Sequence, residues 1–497
     1  MSPRSTDPVV RTETGLVRGF WRISPPKNRA SAAFLGIPFA QAPVGDLRYA
    51  APVLPQPWEG LLDATQYGAT AQRGDPGITL IPEPSIAGDS VLNVNVFTPE
   101  PAELDDPLPV MVWIHGGGYI SGSPASPWYD GRTFNRGDVV TVTISYRLGF
   151  EGFGHIPGAP SNRGVRDWLA ALEWVRRNIY AFGGDPSQVT IAGQSAGGGA
   201  VLTLLAMPAA QHLFRGAWAL SGALADIPHP RAAALSVQLA ERLGVEYSLS
   251  GFSAVTEQQI IDLQQKAAVS EENDDLSAIK SVLSSGPAIG PTVDGELLRE
   301  PSLESLRKGI GADKPLVLGS TDDEFTMATD HVRSKLRFVP PSIALSKLVN
   351  GRTQRRAYLA DNRAQRRLGT AAVVGRYIGD AIFRSTVVRT AQARGSAPTW
   401  VYRFSWASPT RRWALHCVDV PFWFNCLNEP HVADIAGDKP PQSLADEVHG
   451  AALKMIREGR PGWKPWSESS GTTRIFGGAV SGPDVVPDGY HSVRALV

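Results

Sequence analysis

Six short apolar runs, rich in β-branched side chains, recur along the chain between segments of helical character. They occupy residues 110–114, 138–145, 189–193, 216–220, 315–319 and 400–404. Most of the runs are continuous rather than alternating, which is typical of parallel strands buried on both faces of a sheet. The pattern predicts an α/β fold with a central, mostly parallel, twisted sheet flanked by helices.

The segments outside these runs predict the rest of the organisation. Residues before about Asn95 favour a small N-terminal β region, and residues 226–285 and 340–395 favour helical insertions that would form a lid and pocket walls. A further helix is predicted over about 443–459, ending at a glycine suited to a left-handed cap. No low-complexity linker or internal repeat divides the chain, so we expect residues 1–497 to form one large domain.

The apolar run at 189–193 leads into the pentapeptide Gly193-Gln194-Ser195-Ala196-Gly197, which is followed by a helix-compatible stretch. A strand, the motif G-x-S-x-G and a helix form the nucleophile elbow, a sharp turn that exposes one serine above a sheet. With 50 glycines in the chain, the pentapeptide can arise by chance, so its context decides. Ser195 is the candidate nucleophile, and it needs a base to take its proton.

That context is a second strand pattern, 110–114, which runs directly into His115-Gly116-Gly117-Gly118. Consecutive glycines after a strand expose backbone N–H groups, and such a loop upstream of an elbow provides an oxyanion hole. We expect the donors to be the amides of Gly117, Gly118 and Ala196. His115 is interpreted as structural, because its loop must present N–H groups. The order of strand, glycine loop and elbow predicts an α/β-hydrolase.

These residues resemble the type-B carboxylesterases, a family of α/β-hydrolases that includes bacterial para-nitrobenzyl esterases and cholinesterases. Similar motifs are spread over nearly the whole chain, at 34–40 (FLGIPFA), 43–49 (PVGDLRY), 145–149 (SYRLG), 178–186 (NIYAFGGDP), 291–295 (PTVDG) and 444–446 (LAD). The resemblance implies a serine carboxylesterase with a Ser-His-Glu triad that acts through an acyl-enzyme, on uncharged apolar or aromatic esters. It implies no cofactor.

The same resemblance suggests the acid of the triad. Residues 319–324 (GSTDDE) are similar to the family's G-x-x-x-D-E-G, whose glutamate is catalytic, which assigns the role to Glu324. Without the resemblance, the sequence does not distinguish Glu324 from Asp322 or Asp323, and we expect these two aspartates to be solvated loop residues. Phe325 stands where the family has glycine, so it could narrow the pocket or shift the carboxylate.

The base is chosen from nine histidines. Residues 414–422 (ALHCVDVPF) resemble the family's G-A-x-H-x-x-E-x-P-F, which implies that His416 is the base. Cys417 beside it is either a reactive thiol or a small buried filler, and we expect the filler. Two scaffold ion pairs are also implied by the resemblance, Arg48 with Asp89 and Arg147 with Asp167.

Two features that cholinesterases use to bind choline are absent from the sequence. Residues 72–90 contain no aromatic side chain for a cation–π contact, and Gln194 stands where the cholinesterase elbow carries glutamate. The cysteines that close this loop in eukaryotic members are replaced by Ala71 and Val91. This argues against choline esters.

Six residues that flank the motifs are candidate pocket walls, although ordinary core packing explains them equally well. They are Tyr119, Ile120, Phe325, Met327, Phe422 and Trp423.

Two functional alternatives also stay open at this point. The same machinery could cleave a carbamate, aryl amide or lactone, and some relatives of this fold are non-catalytic interaction proteins. The complete set of Ser195, Glu324 and His416 disfavours a non-catalytic protein.

Composition limits the partners. The formal net charge is +0 and the pI is about 7.1, with no basic block, so nucleic acid and anionic membranes are not expected as partners. No apolar run reaches the ~18 residues of a membrane span. The two cysteines form no disulfide framework, no metal signature such as H-E-x-x-H occurs, and the polar N-terminus predicts a cytoplasmic protein. We expect a monomer or a weak homo-oligomer that binds a small-molecule ester.

Overall fold

An eleven-stranded sheet is the central element of the computed structural model, which describes residues 7–22, 30–73, 79–99, 106–268, 275–349, 351–478 and 484–497. Strands are numbered in chain order, and their order across the sheet is β16 (Val485–Val486), β15 (Thr473–Phe476), β14 (Thr399–Phe404), β13 (Leu316–Thr321), β10 (Gly216–Leu220), β9 (Gly184–Gln194), β7 (Leu108–Ile114), β8 (Val140–Ile144), β6 (Asn93–Pro99), β4 (Ser31–Pro38) and β3 (Phe20–Arg22).

The pairing is parallel from β15 to β8 and antiparallel at both margins. All six predicted strands lie in this parallel part, so the predicted fold class is confirmed. The N-terminal region forms a small separate sheet of β1 (Val9–Arg11), β2 (Leu16–Arg18) and β5 (Leu61–Asp63), while its other strands join the main sheet. A two-stranded sheet pairs β11 (Ile227–Pro228) with β12 (Thr292–Val293).

Strand β7 shows why the apolar runs are continuous. Val110, Val112 and Ile114 belong to one hydrophobic core, and the alternating Met111 and Trp113 belong to a second. Successive side chains of a strand point to opposite faces of the sheet, so both faces of β7 are covered. A sheet covered on both sides needs apolar side chains at every position, which is the pattern in the sequence.

The helices follow the predicted distribution. In chain order they are α1 (Arg132–Arg136), α2 (Gly149–Phe153), α3 (Arg163–Asn178), α4 (Ala196–Leu205), α5 (His229–Leu243), α6 (Leu249–Ser253), α7 (Glu257–Ala268), α8 (Asp275–Ser285), α9 (Ser302–Arg307), α10 (Arg333–Leu336), α11 (Pro341–Leu345), α12 (Arg352–Asp361), α13 (Arg363–Arg367), α14 (Thr370–Gly379), α15 (Ser385–Ala393), α16 (Val420–Trp423), α17 (Val432–Ala436) and α18 (Gln442–Glu458). A π-helix, Asp380–Arg384, joins α14 to α15.

The two stretches predicted as insertions are thus largely helical, from α5 to α8 and from α11 to α15. The predicted C-terminal helix is α18, and Gly459 caps it with φ 73°, in the left-handed region. Among the residues that the structure describes, none of the helices combines the length and the apolar character required to cross a membrane.

One of the two predicted scaffold ion pairs is present and the other is wrong. Arg147 binds both carboxylate oxygens of Asp167, at 2.9 and 2.7 Å, and both side chains are buried. Arg48, however, pairs with Glu151 of α2 at 2.7 Å rather than with Asp89. Glu151 is buried beside Arg48, whereas the shorter Asp89 side chain is exposed to solvent, so Glu151 offers the stronger partner.

Candidate active site

Ser195 lies in the sharp turn between β9 and α4. Its φ is 58° and its ψ is −122°, a conformation that an L-residue adopts only where the surrounding structure enforces it. The flanking glycines permit the turn. A Cβ on Gly193 would lie 2.5 Å from the carbonyl oxygen of Gly197, and one on Gly197 would lie 2.0 Å from that of Ile114. The strained turn and the two glycines form the geometry of a nucleophile elbow.

Glu324 and His416 are in direct contact. Oε2 of Glu324 hydrogen-bonds Nδ1 of His416, and both side chains are buried. The other carboxylate oxygen, Oε1, accepts from the Ser221 hydroxyl at 2.6 Å and from the Thr321 amide at 2.8 Å. Three donors therefore fix the carboxylate.

Ser221 is a contact that the sequence interpretation missed. It directly follows β10, adopts a positive φ of 46°, and is fully buried. A serine at the carboxyl end of a central strand is the one feature of the sequence that could have indicated it, because functional groups collect at that edge of a parallel sheet.

The surroundings of His416 push its pKa in opposite directions. Burial lowers the pKa, whereas the charge of Glu324 and its hydrogen bond to Nδ1 raise it, and the net shift is upward from the ordinary histidine value. Burial raises the pKa of the Cys417 thiol, so Cys417 is uncharged at neutral pH and the attraction comes from Glu324. Asp419 is a further buried carboxyl nearby, whose pKa burial and Glu324 raise to about 7.

The aspartates that precede Glu324 are not solvated, contrary to expectation. Asp322 binds Arg403 at 2.6 Å and the fully buried Arg384 at 2.9 Å, and Asp323 lies 3.3 Å from Arg376. Burial raises the pKa of Asp322, but the charges of Arg403 and Arg384 outweigh it and hold that pKa well below its ordinary value. Both aspartates belong to a largely buried ionic network, and Glu324 is the member of the triplet that contacts a histidine.

A cavity of about 330 Å³ opens above Ser195. Its lining is predominantly apolar and includes the three predicted oxyanion donors together with Ser195 and His416. The lining residues are Thr79, Leu80, Ile81, Glu83, Gly116, Gly117, Gly118, Tyr119, Ser121, Tyr129, Gln194, Ser195, Ala196, Ala223, Val282, Pro287, Phe325, Ile382, Phe383, His416 and Cys417.

Two of the six candidate wall residues, Tyr119 and Phe325, line this cavity. The other four lie elsewhere. Phe422 and Trp423 are fully buried in the second core, where Trp423 packs against Trp113 with ring centroids 5.1 Å apart. Met327 packs against the same core and Ile120 against the first, so these four belong to core packing.

Phe325 and Phe383 form an aromatic wall around the imidazole. Their ring centroids lie 5.0 and 4.7 Å from that of His416, and the two phenyl rings contact each other at 5.3 Å. Phe383 comes from the π-helix at 380–384, an element often found at functional sites. The phenyl group at position 325 therefore occupies space beside the imidazole of His416.

His115 is placed as the sequence suggested. Its ring stacks on Tyr146 at 4.4 Å, its Nδ1 lies 2.8 Å from the carbonyl oxygen of Gly116, and burial lowers its pKa to about 4. His115 is therefore a neutral, buried residue at neutral pH. Within the described ranges, no three His, Cys, Asp or Glu side chains are grouped so that they could hold a metal ion.

Three features define a protein of the α/β-hydrolase class: the mostly parallel sheet, the nucleophile elbow at Ser195 and the buried pair of Glu324 and His416. The model of the carboxylesterase family matches residues 6–472, so the chain belongs to the carboxylesterase family. It is a serine carboxylic ester hydrolase.

Individual relatives agree with this assignment. The chain is 32% identical to the para-nitrobenzyl esterase of Bacillus subtilis (strain 168), over 95% of each chain. It is 31% identical to the fumonisin B1 esterase of Sphingopyxis macrogoltabida, over 93% of this chain and 82% of the relative. A solved carboxylesterase from Geobacillus stearothermophilus has a TM-score of 0.80 and 30% identity, covering 98% of this chain and 99% of the other.

Proposed function

We propose that this protein hydrolyses carboxylic esters through an acyl-enzyme, with Ser195 as nucleophile, His416 as general base and acid, and Glu324 as the carboxylate that orients His416. The observation that carries the proposal is the placement of Ser195 and His416 on one cavity, with Glu324 bound to the far nitrogen of the imidazole.

In the first half of the reaction, Oγ of Ser195 attacks the ester carbonyl while its proton passes to Nε2 of His416. The tetrahedral intermediate collapses when His416 returns that proton to the departing alcohol, and the acyl group stays on Ser195. In the second half, His416 takes a proton from water and the hydroxide attacks the acyl-enzyme. The second tetrahedral intermediate collapses when His416 returns that proton to Oγ of Ser195, and the carboxylic acid leaves. Glu324 stabilises the imidazolium that forms in both halves.

The oxyanion would be stabilised by the amides of Gly117, Gly118 and Ala196. All three residues line the cavity with Ser195. Ala196 is the first residue of α4, so its N–H has no carbonyl of the same helix to bind. The N-terminal end of a helix also favours negative charge, which supports an oxyanion at this point.

The substrate class we propose is uncharged esters with apolar or aromatic groups. The support is the predominantly apolar cavity wall, which includes Leu80, Ile81, Ile382 and the two phenylalanines. Pockets of about 300 Å³ accept small molecules.

A kinetic panel tests the function. We expect 4-nitrophenyl butyrate to be hydrolysed with a kcat/KM far above that of the matched carbamate and anilide, because His416 must protonate a much more basic leaving group in the anilide.

An organophosphate should label Ser195 with one equivalent. Ser195→Ala should abolish both labelling and turnover, and turnover retained by this variant would contradict the proposal.

A cytoplasmic location, a monomeric or weakly associating state and independence from metal ions stay predictions. For metal independence, we expect activity to survive exhaustive EDTA treatment.

A further inference from the structure

The short helices α10 to α13 carry a concentration of positive charge. Residues 333–368, which span these helices, hold ten of the 48 Lys and Arg residues of the chain but one of its 48 Asp and Glu residues. All of the ten basic side chains except Arg355 are exposed, and within the described ranges none of the exposed ones is paired with a carboxylate. The zero net charge of the whole chain, on which the expectation against anionic membranes rested, therefore does not describe this surface.

Three large apolar side chains are exposed on the same segment. Phe338, Ile343 and Leu368 are 85%, 55% and 47% accessible to solvent, and Phe338 is the most exposed large apolar side chain among the described residues. Phe338 and Leu368 lie in the turns that follow α10 and α13, and Ile343 lies on α11. Exposed apolar side chains inside a polar rim mark an interaction surface.

Tertiary contacts join these helices into one surface. The hydroxyl of Thr370, the first residue of α14, donates to the carbonyl of Val339 at 2.5 Å. This hydrogen bond connects the turn that contains Leu368 to the turn that contains Phe338. The helices α10, α11 and α13 all pack against α14, which is largely buried. We call the resulting surface, formed by residues 333–347 and 363–368, the basic face.

The basic face repeats one local pattern. Residues 333–338 (RSKLRF) and 363–368 (RAQRRL) each contain three basic side chains and end on an exposed apolar residue. In the first of these segments, the guanidinium group of Arg337 lies over the ring of Phe338, 5.1 Å from its centroid. Basic side chains around exposed Phe and Leu are typical of surfaces that lie in the interface of a membrane, where the cations meet phosphate headgroups and the apolar groups meet acyl chains.

We propose that the basic face binds the surface of an anionic phospholipid bilayer, with Phe338, Ile343 and Leu368 inserted below the headgroups. This is peripheral binding, added to the proposed function and independent of it. For uncharged apolar esters, it would also hold the enzyme where such substrates accumulate.

A lipid surface accounts for both the charge and the apolar side chains, whereas other partners account for one of them. Nucleic acid would attract the cations, but contacts to its phosphate backbone leave Phe338, Ile343 and Leu368 without an apolar partner. A second copy of this chain would bring two positive surfaces together, and these repel each other.

Vesicle flotation of the full chain tests the proposal. Wild type should bind phosphatidylcholine vesicles that contain about 30% phosphatidylglycerol about 100-fold more tightly than pure phosphatidylcholine vesicles. The triple variant Arg363→Gln/Arg366→Gln/Arg367→Gln should lose about 100-fold in affinity for the anionic vesicles, because each basic residue near an anionic surface contributes about fivefold. Phe338→Ser, which keeps every charge, should lose about 10-fold.

A second triple variant is the matched control. Arg457→Gln/Arg460→Gln/Lys464→Gln removes the same charge from exposed positions at the end of α18 and beyond it, and it should bind within about threefold of wild type. Thermal unfolding should be unchanged in all variants, because the replaced side chains are exposed. If the first triple variant does not fold, Phe338→Ser decides.

Four outcomes would overturn the proposal. They are equal binding of wild type to anionic and neutral vesicles, equal losses in the two triple variants, full affinity in Phe338→Ser, and tighter binding to duplex DNA than to anionic vesicles at equal phosphate concentration. The last outcome would assign the basic face to nucleic acid. Because the readout is binding, loss of esterase activity, which would refute the proposed function, leaves this test intact.

Discussion

The side-chain amide of Gln194 lies 3.1 Å from Nε2 of His416, the nitrogen that accepts the proton of Ser195 in the proposed mechanism. An amide N–H donates, so in the neutral ring Nε2 is the acceptor and the proton resides on Nδ1, directed at Glu324. The contact therefore stabilises the neutral tautomer that a general base requires. It also shares the lone pair of Nε2 that Ser195 needs, so the amide must move aside during attack.

Gln194→Glu should shift the pH profile of kcat/KM to higher pH. A carboxylate at this position cannot donate to Nε2, and its charge favours the imidazolium, so the acidic limb should rise by about one pH unit. The measurement is kcat/KM against pH for a single ester. Gln194→Met, which removes the donor without adding charge, is the matched control and should shift the limb less. Asp419 also has a pKa of about 7, so the test is the difference between the acidic limbs of Gln194→Glu and Gln194→Met. Identical acidic limbs in the two variants would contradict the prediction.

Glu324→Gln should lower kcat by ~10²–10⁴-fold with little change in KM, because the variant loses the charge that stabilises the imidazolium in the transition state. The acidic limb should also move to lower pH, since Glu324 is what raises the pKa of His416. The matched control is Asp323→Asn, which changes a carboxylate that contacts no histidine. A larger loss in Asp323→Asn than in Glu324→Gln would require the acid to be reassigned.

Sequence alone was sufficient for the parts of the site that local pattern encodes. The apolar run before Ser195 and the glycines around it specify a strand and a tight turn within a few residues. Local sequence pattern did not predict which residues surround the acidic triplet that contains Glu324. The sequence predicts that Asp322 is a solvated residue after a strand. The residues that bind it, Arg384 and Arg403, are 62 and 81 positions away along the chain. Only the tertiary fold brings them together.

The pocket walls show the same limit. Phe422 and Trp423 stand close to the histidine motif in sequence, and their apolar character fits a wall or a core equally well. The short helix α16 directs both into the core beneath the sheet. Phe383, in contrast, lies within a helical stretch that carries no motif. It contacts His416 because it belongs to a π-helix, and the periodicity of the sequence does not predict that π-helix.

Asp322→Asn should destabilise the protein by about 3–5 kcal/mol, because it leaves the guanidinium groups of Arg384 and Arg403 without their carboxylate. Chemical denaturation of wild type and variant at pH 7 measures this difference. The pKa of Asp322 is depressed in the folded state, so its stabilisation is fully present above the unfolded value of about 4 and is lost as pH falls further.

The difference in stability between wild type and Asp322→Asn should therefore shrink below about pH 4. Asp438→Asn changes an exposed carboxylate that takes no part in this network and is the control. A constant difference across the acidic range would show that Asp322 stabilises the fold through packing rather than through its charge.

Phe325→Ala should widen the range of accepted esters. The phenyl ring lines the cavity and lies beside both Phe383 and His416, so its removal enlarges a space of about 330 Å³ next to the reacting carbonyl. We expect kcat/KM for a bulky ester, such as 4-nitrophenyl benzoate, to rise by about 10-fold relative to 4-nitrophenyl acetate. Loss of the ring also loosens the imidazole, so kcat for the acetate should fall by a few-fold. Phe338→Ala, at an exposed phenylalanine, is the matched control and should change neither ratio. An unchanged ratio between benzoate and acetate in Phe325→Ala would show that Phe325 does not limit the size of the substrate.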